Sequence, residues 1–573
     1  MRRTMPFLVL LAALLAVGCS SAPTAPPISE AAAGVPITVE PLPEGPVDDG
    51  PPYQAYVLEP SKNAPAPPEM FQKVDPREKS HWPEMPISEE EAENLRAASA
   101  FLPPNPSIVQ IQRATPGGMA PAVNSGFESL SFADDPGGVP PDPEIAAGLN
   151  HVIVVVNTSI EIHEKDGTTV AGYPQTLGTF FSGVPGCTGL FDPNVLYDDK
   201  EDRYFVGVDS AGTGYCFAVS QTGDPEGAWN GYRFGTGPLF FDFPHAGIGE
   251  EAIVMGANLF SGGFVRSDVW AINKADAYSG ASITPVVQTI GGDTPQPVHF
   301  QGFPQGTWPS GTEPAEGPPI YRHYIVNDDA FDGTSYGIWE WVDPFNNSFE
   351  GNTLTRIGAV DLNSATGVTA GFPVAFPQAG SAALMQGNDW RCQDAEYRNG
   401  SVWMAHTLAC NPGGGTVNCV RWAEIEPETA TVIQAGVVAS DGEFRQFPNL
   451  AVNDNDDMIL GYTLGSTSIF PSVAATGRLG TDPLDTVQDE VLLKAGEVAY
   501  TGFDGSPHRW GDYTEACHDP DGVTLWYVGD YSEDTGLGTT WGNYVASLSF
   551  DGGAVFEDGF ESGDTSVWSS TTP

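Results

Sequence analysis

The sequence predicts an all-β fold: a single seven-bladed β-propeller preceded by a Pro-rich tether. Three observations carry this reading. From 105 to 550, short runs rich in Val, Ile, Tyr, Phe and Trp are bounded by Gly, Pro, Asn and Asp, and helical periodicity is nearly absent. A domain of 445 residues is long for one sandwich, whereas radial repetition of small sheets accommodates it. The third observation is a repeat.

Each repeat unit places Asp or Pro before an apolar strand. Asp142-Pro143 leads into 151–157, Asp192-Pro193 into 203–208 and Asp242-Phe243-Pro244 into 252–258. Pro318-Pro319 leads into 321–326, Asp394 into 401–406, Phe447-Pro448 into 458–463, and Asp519-Pro520 into 525–528. Starts at 142, 192, 242, 318, 394, 447 and 519 are spaced by 50, 50, 76, 76, 53 and 72 residues, which suits four-stranded blades with unequal insertions. A closed ring leaves only short sheet edges, so the domain is expected to be monomeric. The segment Ser220–Trp229 resembles the Asp box of sialidase-type propellers but has the wrong spacing; it reads as a hairpin whose Trp229 packs between blades.

Ahead of the domain, Met1-Arg2-Arg3 and an apolar run over 6–17 read as an export signal. Leu15-Ala16-Val17-Gly18-Cys19 resembles a bacterial lipoprotein signal, although Ala16 stands where Leu is commoner. The resemblance implies cleavage after residue 18 and lipidation of Cys19. With Ser20 and Ser21 following, it implies a lipid anchor in the bacterial outer membrane or at the cell surface. Residues 20–104 hold 18 prolines in 85 positions. This composition predicts that 19–104 is an extended tether. Within it, Ser88 and Glu91 form a capping box that predicts one short helix over about 89–100. The acidic end, 551–573, contains Asp558-Gly559-Phe560-Glu561-Ser562-Gly563-Asp564 and resembles a tail carried by many exported Gram-negative proteins.

Acidic residues number 74 against 23 basic, a net charge of −51. This field repels phosphate backbones and argues against nucleic-acid binding. Apart from Cys19, six cysteines remain, and an even number in an exported chain predicts disulfides. The expected pairs are Cys187–Cys216, which flanks one strand pair, and Cys410–Cys419, which closes a Gly-rich loop.

The ordered pieces Pro140-Pro141-Asp142-Pro143, Phe191-Asp192-Pro193-Asn194, Arg398-Asn399-Gly400-Ser401-Val402-Trp403, Pro448-Asn449-Leu450-Ala451 and Arg509-Trp510-Gly511-Asp512-Tyr513 resemble uncharacterised bacterial exported β-propeller proteins. The resemblance implies fold and export, and it carries over no catalytic residue.

No Gly-x-Ser-x-Gly stands in a strand–turn–helix setting, and zinc-protease motifs and P-loops are absent. Equivalence of the repeats would put Asp142, Asp192, Asp242, Asp394 and Asp512 or Asp519 near one mouth of the channel, with Arg509 beside them. Such a ring would suit Ca²⁺ as a ligand; the competing reading is that each Asp caps a turn. Asp454-Asn455-Asp456-Asp457 reads as a hairpin turn, and the aromatics around Trp510 and Trp526 read as blade packing. Two functions follow as expectations. The first is a membrane-anchored module that binds extracellular protein or glycan. The alternative is an exported glycan hydrolase with paired channel carboxylates.

Overall fold

The computed structural model describes residues 52–62, 85–115, 118–134, 140–301, 321–345, 352–502, 505–535 and 540–550. Seven sheets stand around a ring. Their inner strands are Glu144–Ala147, Leu190–Asp198, Phe240–Ile248, Asp293–Pro297, Cys392–Arg398, Glu443–Val452 and Glu515–His518. Each inner strand packs against the next, and the last packs against the first, which closes a seven-bladed β-propeller.

The apolar strands expected to open the repeats are the second strands: His151–Val156, Arg203–Ser210, Ala252–Phe260, Arg322–Asp328, Ser401–Cys410, Met458–Ser466 and Leu525–Glu533. They are the most continuously apolar because neighbouring blades cover both of their faces. The Asp- and Pro-containing segments before them are themselves inner strands. They read as turns because most of them carry a bulge. Asp142, Asp192, Phe243, Thr294 and Phe447 all have φ between 48° and 56°, and each is followed by a proline, which has no N–H to give to the sheet. The pairing register skips there: Asp242 faces Asn258 but His245 faces Gly256, and Gln446 faces Thr463 but Asn449 faces Gly461.

Two repeat boundaries change as a result. The fourth blade begins at Asp293–Pro297 and not at 318, because Thr294-Pro295-Gln296 carries the bulge; 318–319 lie outside the described residues. In the seventh blade Asp519 lies in the turn between the inner and second strands, and Asp512 precedes the inner strand.

Hydrogen bonds stitch the blades together at these bulges. The N–H of Asp192 donates to Asn157 Oδ1 at 2.9 Å, that of Thr294 to Asn258 Oδ1 at 2.7 Å, and that of Phe447 to Thr407 Oγ1 at 3.1 Å. In each pair the acceptor lies in, or directly after, the second strand of one blade, and the donor lies in the inner strand of the next. The ring is locked by Ala122–Ser131, which pairs antiparallel with Thr540–Ser549 as the outer strand of the last blade.

Parts of the Pro-rich stretch also join the propeller. Tyr56–Leu58 adds a fifth strand to the second blade. Leu58 packs over Gly231, where a Cβ would stand 2.8 Å from the Leu58 side chain. The helix Glu89–Ser99 forms as the capping box predicts, with Ser88 Oγ accepting the Glu91 N–H at 3.3 Å. It buries Ala92 against Phe331, Phe372 and Trp390. Cys19 and the 551–573 tail lie outside the described residues.

Both expected disulfides are formed, Cys187–Cys216 and Cys410–Cys419. Cys392 and Cys517 are buried and stand outside these two bonds. Trp229 is buried against Phe180, at 5.3 Å between ring centroids, and its Nε1 donates to Pro225 O. The two disulfides close chain segments of different length, with separations of 29 and 9 residues. Loop-closure entropy then makes the longer one worth about 3–4 kcal/mol and the shorter about 2–3 kcal/mol. Replacing Cys187 and Cys216 by Ser should therefore lower the melting temperature more than replacing Cys410 and Cys419, as read by calorimetry.

Candidate functional site: the upper mouth of the channel

Strand pairing puts three kinds of side chain in register around the mouth where the inner strands begin. Glu144, Asn194, His245, Gln296, Asn449 and Glu515 each face a residue two positions before a polar group near the mouth end of their blade's second strand. Those polar groups are Asn157, Asp209, Asn258, Asp328, Thr463 and Asp530. In the fifth blade Asp394 pairs with Ala405, which gives its backbone the position of Glu144. Asp142 and Asp192 occupy the bulge itself, whereas Asp242, Asp293 and Asp512 sit one residue earlier in their blades.

The mouth thus gathers many carboxylates, and two insertions bring the cations that balance them. The first insertion carries Asn388, Asp389 and Arg391, and the second carries Arg509. The insertions pair with each other: Met385 bridges His508, and the His508 N–H donates to Leu384 O at 2.8 Å. Arg391 forks onto Asp389 at 2.8 Å, and its guanidinium lies 4.0 Å above the Phe243 ring. Arg509 pairs with Asp512 at 2.5 Å. Asp512 also receives Asn388 Nδ2 at 2.9 Å, and its N–H donates to Asp142 Oδ1 at 2.7 Å. The other oxygen of Asp142 accepts Asn157 Nδ2 at 2.9 Å.

Burial raises the Asp142 carboxyl well above its usual range; Asp512 and Asp192 push the same way, and Arg509 opposes them. Burial likewise raises Asp209, Asp328 and Asp530. Asp293 rises to about 7, mainly through burial. His245 is pushed down to about 3 by burial and by Arg391, so it is neutral.

Below this layer the mouth is plugged. Tyr513, from the seventh blade, meets Phe243 and His245 of the third blade with ring centroids at 5.5 and 5.3 Å. A cavity under the plug is lined by Glu144, Asn194, His245, Gln296, Glu396 and Glu515, and it leaves about 20 Å³ for water. That is room for one or two waters.

The structure brings Asp142, Asp192, Asp242, Asp512 and Arg509 to one mouth. Asp519 is not among them. It lies past the other end of the inner strand, where its carboxylate takes Lys165 Nζ at 2.7 Å and Trp526 Nε1 at 2.8 Å. Arg203, Arg398 and Arg478 bond to other groups: Arg203 donates to the Glu201 and Asp202 carbonyls, Arg398 pairs with Asp454, and Arg478 donates to the Asp482 carbonyl. Asp454–Asp457 forms a hairpin turn in which Asn453 Oδ1 accepts the Asn455 and Asp457 N–H groups. Trp510, Tyr513, Trp526, Tyr527 and Trp541 are buried. Arg391, Asp389 and Asp293 were not anticipated; Thr294-Pro295 was the signal that could have located Asp293.

No family model matches the sequence, and no curated protein matches it. Among solved structures the chain is similar to a Dyadobacter fermentans protein of unknown function, with 12% identity, 62% of this chain and 93% of that one covered, and a TM-score of 0.30. It is similar to an α-L-arabinofuranosidase from Fusarium graminearum, with 11% identity, 53% and 92% coverage and a TM-score of 0.28. It is also similar to the WD40 domain of SCAP from fission yeast, with 10% identity, 74% and 98% coverage and a TM-score of 0.32.

The raised Asp293 carboxyl gives a signed pH dependence. A proton held more tightly in the folded state stabilises the fold fully below pH 3.8, and that contribution is lost as pH rises to about 7. Asp293→Asn should therefore gain stability relative to the parent as pH increases across this window and level off above it. The gain at neutral pH is at most about 4 kcal/mol. Melting temperatures of both proteins between pH 4 and 8 check this; a difference independent of pH would contradict it.

Proposed function

We propose that the protein is an exported, lipid-anchored binding module that recognises an extracellular protein or glycan on the upper mouth of its propeller, as a monomer. The observation that carries this reading is the plug: about 20 Å³ beneath the mouth cannot admit a ligand, so recognition falls to the rim. The rim pairs charge with apolar surface. Arg509 and Asp512 are half-buried there, beside exposed Leu384, Ser506 and Pro507. Asp142 and Asp512 are held by hydrogen bonds at fixed positions, which suits preorganised recognition. A Ca²⁺ ion bridging ligand and carboxylates is compatible with the same rim.

One observation favours glycan hydrolysis as a second reading. Asp142 has a raised carboxyl beside Asp512, whose charge is balanced by Arg509, and an acid next to a carboxylate is the arrangement glycosidases use. Against it, both oxygens of Asp142 are already bonded inside the fold.

A glycan array and a pull-down from extracellular material, with and without Ca²⁺, test the binding reading. Arg509→Ala and Asp512→Asn should each weaken the retained ligand at least tenfold while leaving the melting temperature within a few degrees. Retention unchanged in both variants would refute recognition at this rim. Release of reducing sugar by the parent protein, lost in Asp142→Asn, would establish the hydrolase instead.

A further inference from the structure

We infer that His151, with Asp224, Glu226 and Glu164, forms a site for a divalent transition-metal ion of the zinc type. The site lies at the lower seam between the first and second blades, away from the mouth and independent of the binding reading. His151 begins the second strand of the first blade, and Glu164 faces it across the sheet. Asp224 and Glu226 come from the hairpin between the third and fourth strands of the second blade. Among the described residues, His151, Asp224 and Glu226 are the one set of three whose ligand atoms all lie within 4.8 Å of one another.

An acidic cluster alone would be an ordinary surface. The independent observation is His151 itself, which is 8% exposed. Its Nδ1 has no hydrogen-bond partner. Its Nε2 points between Glu164 and Glu226 at 3.7 Å from each, too far for a hydrogen bond. Two ligands on one tetrahedral Zn²⁺, each at about 2.1 Å, stand about 3.4 Å apart. Small rotations of the partly exposed Glu164 and Glu226 side chains close that difference. The cation would then take the Nε2 lone pair in place of these two long contacts.

The site is preorganised. The Tyr204 hydroxyl and the Gly148 N–H both donate to His151 O at 2.9 Å. Asp224 Oδ1 accepts the Glu226 N–H at 3.0 Å, which leaves Oδ2 for an ion. Imidazole among three carboxylates suits Zn²⁺ or Co²⁺; Ca²⁺ takes six to eight oxygens and gains little from a nitrogen ligand. The bare Nδ1 means that no outer partner orients the ring, which weakens affinity by about 10- to 100-fold against sites that have one.

The test strips the purified protein with a chelator, removes the chelator, and titrates Zn²⁺ by calorimetry and Co²⁺ by visible absorption. The expected result is one equivalent bound, with Co²⁺ bands of tetrahedral intensity. Glu226→Gln, on the exposed hairpin, and Asp224→Asn should each weaken binding at least tenfold, and His151→Ala should abolish it. The hairpin variants keep the test decisive where His151→Ala fails to fold. Absence of saturable binding, equal affinity in the hairpin variants, or displacement of the Co²⁺ signal by millimolar Ca²⁺ would overturn the assignment.

Discussion

A backbone N–H at the bulge of an inner strand, answered by a side chain of the blade before it, is the contact on which the ring rests. A bulge turns this N–H out of its own sheet, and the proline that follows offers no donor to compete. Asn157, Asn258 and Thr407 each answer one such group in the next blade. A second contact lies one layer deeper. Asn194 Nδ2 donates to Pro244 O, and Asn449 Nδ2 donates to Thr514 O, the same exchange at two separate seams. Blades that share little side-chain identity are thus held at one spacing by backbone groups that every blade possesses.

The mouth inherits its chemistry from this frame. Because the bulge tolerates a left-handed residue, Asp serves at 142 and 192. Once several such positions face one channel, their carboxylates crowd in a poorly hydrated place. Protonation, hydrogen bonds and imported cations relieve the crowding. Arg391 and Arg509 arrive from insertions, so the charge balance of the mouth depends on loops outside the repeating frame. A chain with a net charge of −51 has few cations to place, and it places two here.

The number of blades, both disulfides and the helix at 89–99 were legible in the sequence, because apolar strands, cysteine spacing and capping boxes are local signals. The inner strands were not. Asp142-Pro143 and Asp192-Pro193 look like turns, since a bulge uses the residue types a turn uses. The shifted boundary of the fourth blade has the same origin: Pro318-Pro319 is a stronger turn signal than Thr294-Pro295-Gln296. Asp519 precedes a proline as Asp142 does, yet it follows its inner strand, whereas Asp512 lies before it. His151 and Glu226 are 75 positions apart, and only the stacking of two blades brings them together. Tyr56–Leu58 sits in a stretch whose composition argues for a tether, yet its pairing with Trp229–Gly231 decides its place.

The outer strand of the last blade, Ala122–Ser131, is made more than four hundred residues before its partner Thr540–Ser549. Every other blade takes its four core strands from one continuous stretch of chain. A polypeptide delivered N-terminus first therefore builds an open arc, with one bare strand waiting at its start. The native strand order of this blade needs Thr540–Ser549 in place between Leu525–Glu533 and Ala122–Ser131. Truncation anywhere upstream of Thr540 leaves this waiting strand without its partner, so two distant segments of the chain share one blade's stability.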